Sequence, residues 1–127
     1  MPTARPEALL IEDNPSNQHL ATFLLENAGF SVRAAGNGRE GLDLAQAFQP
    51  QVIVVDIEMP EMDGYETITQ LRSIDSTRHI PVMVASSYAM PGERQRALDL
   101  GAQDYLEKPF DPEDFMARVR NIAPAKS

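Results

Sequence analysis

The chain has 127 residues, of which 43% are hydrophobic, and its formal net charge at pH 7 is −8. Its size and hydrophobic content predict one globular domain rather than a disordered chain, and its acidity argues against a nucleic-acid-binding surface, which needs clustered Lys and Arg. The sequence contains no Cys, no signal-peptide pattern and no apolar run of membrane-spanning length, so we expect a cytoplasmic protein that contacts no membrane.

The first strand and helix are predicted from an apolar run and a helix cap. Residues 8–11 form an unbroken apolar run, which is typical of a strand buried on both faces of a parallel sheet. Asn14 can cap the next helix, with Pro15 at its first position. Gly29 ends this helix, whose apolar residues recur at helical spacing: Leu20, Phe23, Leu24 and Ala28.

The rest of the chain repeats the strand-then-helix pattern. We predict further strands at 31–35, 52–56, 82–85 and 105–106, and helices at 40–48 and 92–100. Another helix is marked by Ile68, Leu71 and Ile74, and the last one is capped by Asp111, with Phe115, Val119 and Ile122 facing inward. Alternating βα units predict an α/β fold: a five-stranded parallel sheet of order 2-1-3-4-5, flavodoxin-like (βα)5. We place this single domain at residues 7–122, between flexible tails at 1–6 and 123–127.

Reactive side chains follow four of the predicted strands. Glu12 and Asp13 follow the first, Asp56 the third, Ser86 the fourth and Lys108 the fifth. In open parallel sheets, ligand sites lie beyond the carboxyl ends of the strands, so we expect these side chains to converge. An ionised Asp56 leaving the sheet centre is costly unless it is paired or metal-bound. Oxygen ligands without Cys favour Mg²⁺ over Zn²⁺, and the flexible Lys108 could reach a phosphoryl oxygen.

These residues also suggest a family. The chain resembles the receiver domain of two-component response regulators in an ordered set of motifs: Glu12-Asp13, Asp56, Met59-Pro60-Glu61-Met62-Asp63-Gly64, Ser86 and Lys108-Pro109. The resemblance runs from Ala8 to about Ile122. Segments 11–14 and 89–92 are most similar to stand-alone and hybrid-kinase receivers, including single-domain regulators of the DivK type.

The resemblance implies a phosphoacceptor and a metal site. Asp56 would accept the phosphoryl group. Asp13 and Asp56, with the backbone carbonyl of Glu58, would hold Mg²⁺, and Glu12 would assist through water. Lys108 would pair with a phosphoryl oxygen.

Further positions match the switch and rate-tuning residues of the family. Ser86 would bond a phosphoryl oxygen, and Tyr105 would turn inward into the space that Ser86 leaves. The Lys108-Pro109 bond is expected to be cis. Glu58 and Tyr88 match the two positions that gate the water that hydrolyses the acyl phosphate.

Two residues depart from the commoner family pattern. The first acid is Glu12, where Asp is commoner, and its extra methylene is expected to loosen water-mediated metal contacts. Ser87 stands where the family usually has Ala, at a position that lines the phosphoryl cavity. Both departures bear on the phosphorylation and dephosphorylation rates.

The function implied by the resemblance is a phosphorylation-dependent signalling switch. A histidine kinase or histidine phosphotransfer protein would phosphorylate Asp56 in a Mg²⁺-dependent reaction, and the changed surface would bind a downstream protein target. The chain would be a regulatory domain, not an enzyme, with at most slow self-dephosphorylation. We expect a monomer and leave open a phosphorylation-linked dimer. The chain could be a complete single-domain regulator or a receiver from a hybrid kinase.

A Mg²⁺-dependent phosphohydrolase with an aspartate nucleophile is the main alternative, because such enzymes also use an Asp at a strand end. They carry Asp-x-Asp, whose second Asp acts as an acid, whereas this chain has Asp56-Ile57-Glu58 and no cap domain for a substrate. Turnover of a small phosphate ester would favour this reading, and stoichiometric labelling would favour the receiver.

Other motifs are weaker. Residues 36–41 spell the G-x-G-x-x-G dinucleotide fingerprint, but the preceding strand is predicted at the sheet edge, so turn glycines that open a helix are favoured. A flavodoxin would share the topology, but Glu12 and Asp13 would repel an FMN phosphate. His19 and His79 have no partner at ligand spacing and are predicted to be solvated.

Overall fold

Strands and helices alternate along the chain. The computed structural model describes residues 5–56, 64–86, 92–108 and 111–123. Its strands are β1 (Glu7–Ile11), β2 (Ser31–Ala35), β3 (Val52–Asp56), β4 (Val82–Ser86) and β5 (Asp104–Glu107). Its helices are α1 (Pro15–Asn27), α2 (Gly38–Phe48), α3 (Gly64–Ser73), α4 (Glu93–Asp99) and α5 (Pro112–Ile122). Within the described ranges, none of the helices has the length and apolar character needed to cross a membrane.

The strands form one parallel sheet in the order β2-β1-β3-β4-β5, which confirms the predicted flavodoxin-like topology. At the centre of the sheet, Val55 of β3 pairs with Ile11 of β1, and Asp56 pairs with Ala85 of β4. Because these strands point the same way and nearly in register, their carboxyl ends meet at one edge. The residues that follow them are therefore neighbours in space.

Helices bury both faces of this sheet, which explains the unbroken apolar runs. On one face, Ile53 and Val55 of β3 pack in a core that receives buried side chains from α2, α3 and α4. On the other face, Val52 and Val54 pack in a core that receives side chains from α1 and α5. β3 is thus buried along its whole length, and a charged residue at its end has little water around it.

The apolar face of α1 differs from the one predicted. Leu24 is buried, but Leu20 is 50% exposed and Phe23 is 58% exposed. The residues that face the sheet are Ala21, Leu24 and Leu25. Each residue turns an α-helix by about 100°, so a face centred near Ala21 and Leu25 leaves Leu20 and Phe23 pointing away from the core.

Several helix ends shift by one or two residues from the prediction. α2 begins at Gly38, earlier than the predicted residue 40, because the Asn37 side chain accepts a hydrogen bond from the Glu40 amide at 2.8 Å. α4 is shorter than predicted and covers Glu93–Asp99. Asp111 does occupy the N-cap position of α5, but its side chain makes no capping hydrogen bond, so the predicted cap interaction is wrong.

The last glycine of the G-x-G-x-x-G segment, Gly41, has a packing role. A Cβ atom at Gly41 would lie 2.4 Å from Cδ1 of Ile11, so any larger residue there would force the Ile11 side chain to move. Gly41 therefore lets α2 approach β1. This contact explains the last glycine of the motif without a dinucleotide.

A group of charged side chains joins α4, β5 and α5. We call it the edge cluster, and it consists of Arg94, Asp104, Asp114 and Arg118. Arg118 donates from Nη1 to both carboxylate oxygens of Asp104, at 3.0 and 3.1 Å, and from Nε to Asp114 at 3.1 Å. The hydrogen bond to Asp114 and the charge of Asp104 raise the pKa of Arg118. Arg94 Nη2 lies 3.8 Å from Asp104 Oδ1. Two cations thus face two carboxylates.

Candidate functional site

Three carboxylates meet beyond the ends of β1 and β3, and we call Glu12, Asp13 and Asp56 the acidic site. One carboxylate oxygen from each lies within 4.8 Å of the other two. Glu12 and Asp56 are buried, whereas Asp13 is exposed. The predicted convergence of these acids, which are far apart in sequence, is therefore observed.

Lys108 extends into the same site from the end of β5. Its Nζ lies 3.2 Å from Glu12 Oε1 and 3.8 Å from Asp56 Oδ1. Its backbone amide donates to the Ser86 carbonyl at 2.7 Å, which fixes the base of the side chain against the end of β4. The structure thus brings the lysine to the three acids, where its ammonium pairs with Glu12 and Asp56.

Ser86 and Tyr105 lie beside this site on the two neighbouring strands. Ser86 is the last residue of β4, one position beyond the partner of Asp56, and it is fully buried. Tyr105 of β5 is also buried, 3% exposed, in the core shared with α2, α3 and α4. The prediction had Tyr105 turning inward on phosphorylation, but here the ring is already inside. Its switch role stays a prediction.

Some predicted positions lie outside the described residues. They are Glu58, with its backbone carbonyl and its rate-tuning role, Ser87, Tyr88 and the Lys108-Pro109 peptide bond. Their roles stay predictions. His19 and His79 are exposed, as predicted.

The surroundings of Glu12 were not foreseen from the sequence. Its amide donates to the Ala35 carbonyl at 2.9 Å, and its own carbonyl accepts from Gln18 Nε2 at 3.0 Å. The Asn14 amide donates to Glu12 Oε2 at 3.2 Å. Asn14 was identified as a helix cap, which the structure confirms, but nothing in the sequence marks Gln18, because its contact depends on how α1 packs over the loop.

A cavity of about 310 Å³ opens beside the acidic site, between α1 and α5. Its walls are mostly apolar, and its polar groups lie near the acids and the lysine. The lining residues are Leu10, Glu12, Asn17, Leu20, Ala21, Val54, Asp56, Ala85, Lys108 and Phe115. Asp56 is therefore buried and yet reachable from a cleft.

The donor set fits Mg²⁺. This ion takes oxygen ligands at about 2.0–2.1 Å in an octahedron, so opposite ligands lie about 4.2 Å apart, and it usually keeps several waters. Oxygens within 4.8 Å of one another can bind such an ion directly or through water. No thiolate or imidazole that would favour zinc is found among the described residues near the site. A divalent cation would also relieve the repulsion among three carboxylates.

The comparisons with known proteins agree with this site. A family model described as the response regulator receiver domain matches residues 8–120. The chain is 38% identical over 117 residues to the DNA-binding dual master transcriptional regulator RpaA of Synechocystis sp., covering 92% of this chain and 48% of that protein. The chain therefore spans about half the length of RpaA.

Other similar proteins match over nearly their whole length. The polar-differentiation response regulator DivK of Brucella anthropi is 34% identical over 113 residues, which cover 89% of this chain and 92% of DivK. The receiver domain of the Pseudomonas aeruginosa sensor histidine kinase PA1611, solved with a magnesium ion in its active site cleft, superposes with a TM-score of 0.85 at 28% identity. That match covers 94% of this chain and 98% of the receiver. The chain thus belongs to the response regulator receiver domain family.

Proposed function

We propose that Asp56 accepts a phosphoryl group from a phosphohistidine on a histidine kinase or a phosphotransfer protein. The observation that carries this proposal is the position of the Asp56 carboxylate. It lies within 4.8 Å of two further carboxylates and 3.8 Å from the Lys108 ammonium. A phosphoryl transfer brings negative charge to its acceptor. A buried acid beside an ammonium group and two carboxylates that can hold a cation suits such a reaction, because both positive charges would offset the added negative charge.

The reaction needs little covalent chemistry from the protein. An Asp56 oxygen attacks the phosphorus, the bond from phosphorus to the imidazole nitrogen breaks, and an acyl phosphate forms on Asp56. The electron pair of the broken bond stays with the imidazole, which is left as the ordinary neutral or protonated side chain of the donor. The chain contributes alignment and charge compensation.

The surrounding residues supply that compensation. Asp13 and Asp56 would hold Mg²⁺, with Glu12 acting nearby and the Glu58 carbonyl as a further ligand. When bound, the ion offsets the charge of the carboxylates and of the transferred group. Phosphorylation adds a charge of roughly −2, and the Lys108 ammonium lies close enough to pair with a phosphoryl oxygen.

The phosphorylated protein would signal through its surface. Ser86 lies one residue beyond Ala85, the strand partner of Asp56, at the end of β4, where its hydroxyl could donate to a phosphoryl oxygen, and Tyr105 is buried on the adjacent strand. Movement of these two residues would alter the surface formed by α4, β5 and α5, to which a downstream protein binds. Such a switch requires two states separated by a few kcal/mol at most. We place this regulatory role in the cytoplasm, with self-dephosphorylation slow and tuned by Glu58 and Tyr88.

Acetyl phosphate labelling tests the acceptor. With Mg²⁺, we expect one phosphoryl group per wild-type chain, none in Asp56→Asn, and wild-type labelling in Asp43→Asn, an exposed acid on α2 that serves as the matched control. Chelation of Mg²⁺ should suppress labelling. Wild-type labelling of Asp56→Asn would contradict the proposal, and repeated turnover of small phosphate esters would favour a phosphohydrolase.

A further inference from the structure

Among the residues that the structure describes, Glu12, not Asp56, is the carboxylate nearest to Lys108. The two nitrogen–oxygen distances are 3.2 Å to Glu12 and 3.8 Å to Asp56. The Glu12 and Lys108 side chains are 4% and 18% exposed, respectively. Pairs with so little exposure are screened much less by water and salt than surface pairs. The ammonium is therefore held mainly by an acid other than the proposed phosphoacceptor.

Hydrogen bonds fix the backbone at both ends of this ion pair. At Glu12, the amide bonds to Ala35 and the carbonyl bonds to Gln18. At Lys108, the amide bonds to Ser86. Neither backbone can shift easily to compensate for a shorter side chain, so the length of Glu12 decides whether its carboxylate reaches the ammonium. Removing one methylene would withdraw the carboxylate by about 1 Å, which makes it no nearer to Lys108 than Asp56 is.

We infer that Glu12 is a positioning residue that holds the Lys108 ammonium off Asp56. The inference rests on the proposed role of Asp56 and adds a reason for Glu at this position. An ammonium fully paired with Asp56 would compete with a divalent cation for the same oxygens. Held by Glu12, Lys108 stays within reach of an arriving phosphoryl group without forming the closer ion pair with the Asp56 carboxylate, to which the metal and the phosphoryl donor would bind.

The substitution Glu12→Asp shortens the side chain and keeps its negative charge, so it tests the effect of side-chain length alone. Asp keeps the negative charge, and an Asp side chain commonly accepts a hydrogen bond from the amide two residues on, so the bond from Asn14 is retained. The contact with Lys108 is lost. We expect Lys108 to move onto Asp56 and the Kd for Mg²⁺, measured by calorimetric titration, to rise roughly five-fold. This direction is opposite to the effect expected from the sequence, in which the longer Glu12 side chain loosens water-mediated metal contacts; the contact of Glu12 with Lys108 at 3.2 Å is the reason for the revised expectation. The same change at the exposed Glu107 should leave the Kd unchanged.

The Lys108→Met background shows whether Glu12 acts through the lysine. With the ammonium removed, Glu12→Asp should alter the Kd for Mg²⁺ less than about two-fold. An equal loss of affinity with and without Lys108 would overturn the inference, because Glu12 would then act on the metal directly. An unchanged Kd in Glu12→Asp with Lys108 present would overturn it as well.

A measurement without metal completes the test. In a double-mutant cycle on urea unfolding, the substitutions Glu12→Asp and Lys108→Met should be non-additive, since each alone removes the same contact. Additive effects would contradict the inference. The Mg²⁺ titration and the double-mutant cycle are both made on the unphosphorylated protein. If Asp56 is labelled by acetyl phosphate but the cycle is additive, the proposed function stands and the positioning role of Glu12 fails.

Discussion

The acidic site and the edge cluster use the same kinds of side chain in different proportions. In the edge cluster, Asp104 and Asp114 are matched by Arg94 and Arg118, and each carboxylate is within 3.1 Å of a guanidinium nitrogen. In the acidic site, three carboxylates lie together, and among the described residues the ammonium that pairs with them is that of Lys108, which contacts Glu12 and Asp56. Like charges held close together destabilise each other's ionised forms. The edge cluster, in which positive and negative side chains are equal in number, therefore stabilises the fold. The acidic site has an excess of negative charge that a bound cation would offset.

The largest expected change in folding stability is at the edge cluster. Asp104→Asn keeps the shape of the side chain but removes the charge that faces two arginines, and hydrogen bonds to charged groups contribute about 1.5–3 kcal/mol. We expect the free energy of unfolding in urea to fall by about 2 kcal/mol. Asp43→Asn on the exposed face of α2 should change it by less than about 0.5 kcal/mol. A neutral effect of Asp104→Asn would break the comparison.

The next effect is the response to Mg²⁺. A ligand that binds only the folded state stabilises it by about 1.4 kcal/mol at ten times its Kd. We expect this gain in the wild type and in Asp104→Asn, and a much smaller gain in Asp56→Asn, measured as the shift of the urea midpoint. Equal gains in wild type and Asp56→Asn would place the ion elsewhere.

The smallest expected effect is an increase in the free energy of unfolding, opposite in sign to the effect of Asp104→Asn. Without metal, Asp56→Asn removes one of three neighbouring carboxylates while Glu12 keeps Lys108 at 3.2 Å, so relief of repulsion should dominate. We expect the metal-free protein to become more stable by about 1 kcal/mol. A loss of stability in the metal-free variant would show that Asp56 is held by favourable contacts, as Asp104 is.

The sequence predicts the sheet and the place of the site because both follow from strand direction. Unbroken apolar runs indicate strands buried on two faces, and parallel strands bring their carboxyl ends to one edge. For that reason Asp13, Asp56 and Lys108 were expected together, although up to 95 residues separate them along the chain. No side-chain detail is needed for this result.

The buried face of a helix and the contacts between side chains depend on three-dimensional packing, which the spacing of apolar residues in the sequence does not determine. Leu20 and Phe23 fit a helical repeat but lie outside the buried face of α1, since only the packing angle of the helix selects that face. Gln18 donates a hydrogen bond to the Glu12 carbonyl, and Glu12 lies nearer to Lys108 than Asp56 does. Both contacts depend on side-chain lengths across the loop, which the sequence pattern does not contain. Of the edge cluster, the i, i+4 pair of Asp114 and Arg118 could have been found from spacing; the contacts of Asp104 could not.

Chemical trapping of the phosphorylated residue tests the central claim most directly. After labelling with acetyl phosphate and Mg²⁺, borohydride reduces an aspartyl phosphate to homoserine, which peptide mass spectrometry locates. We predict homoserine at position 56 and unmodified acids at positions 12, 13 and 104. Homoserine at another position, or none in a fully labelled sample, would contradict Asp56 as the phosphoacceptor.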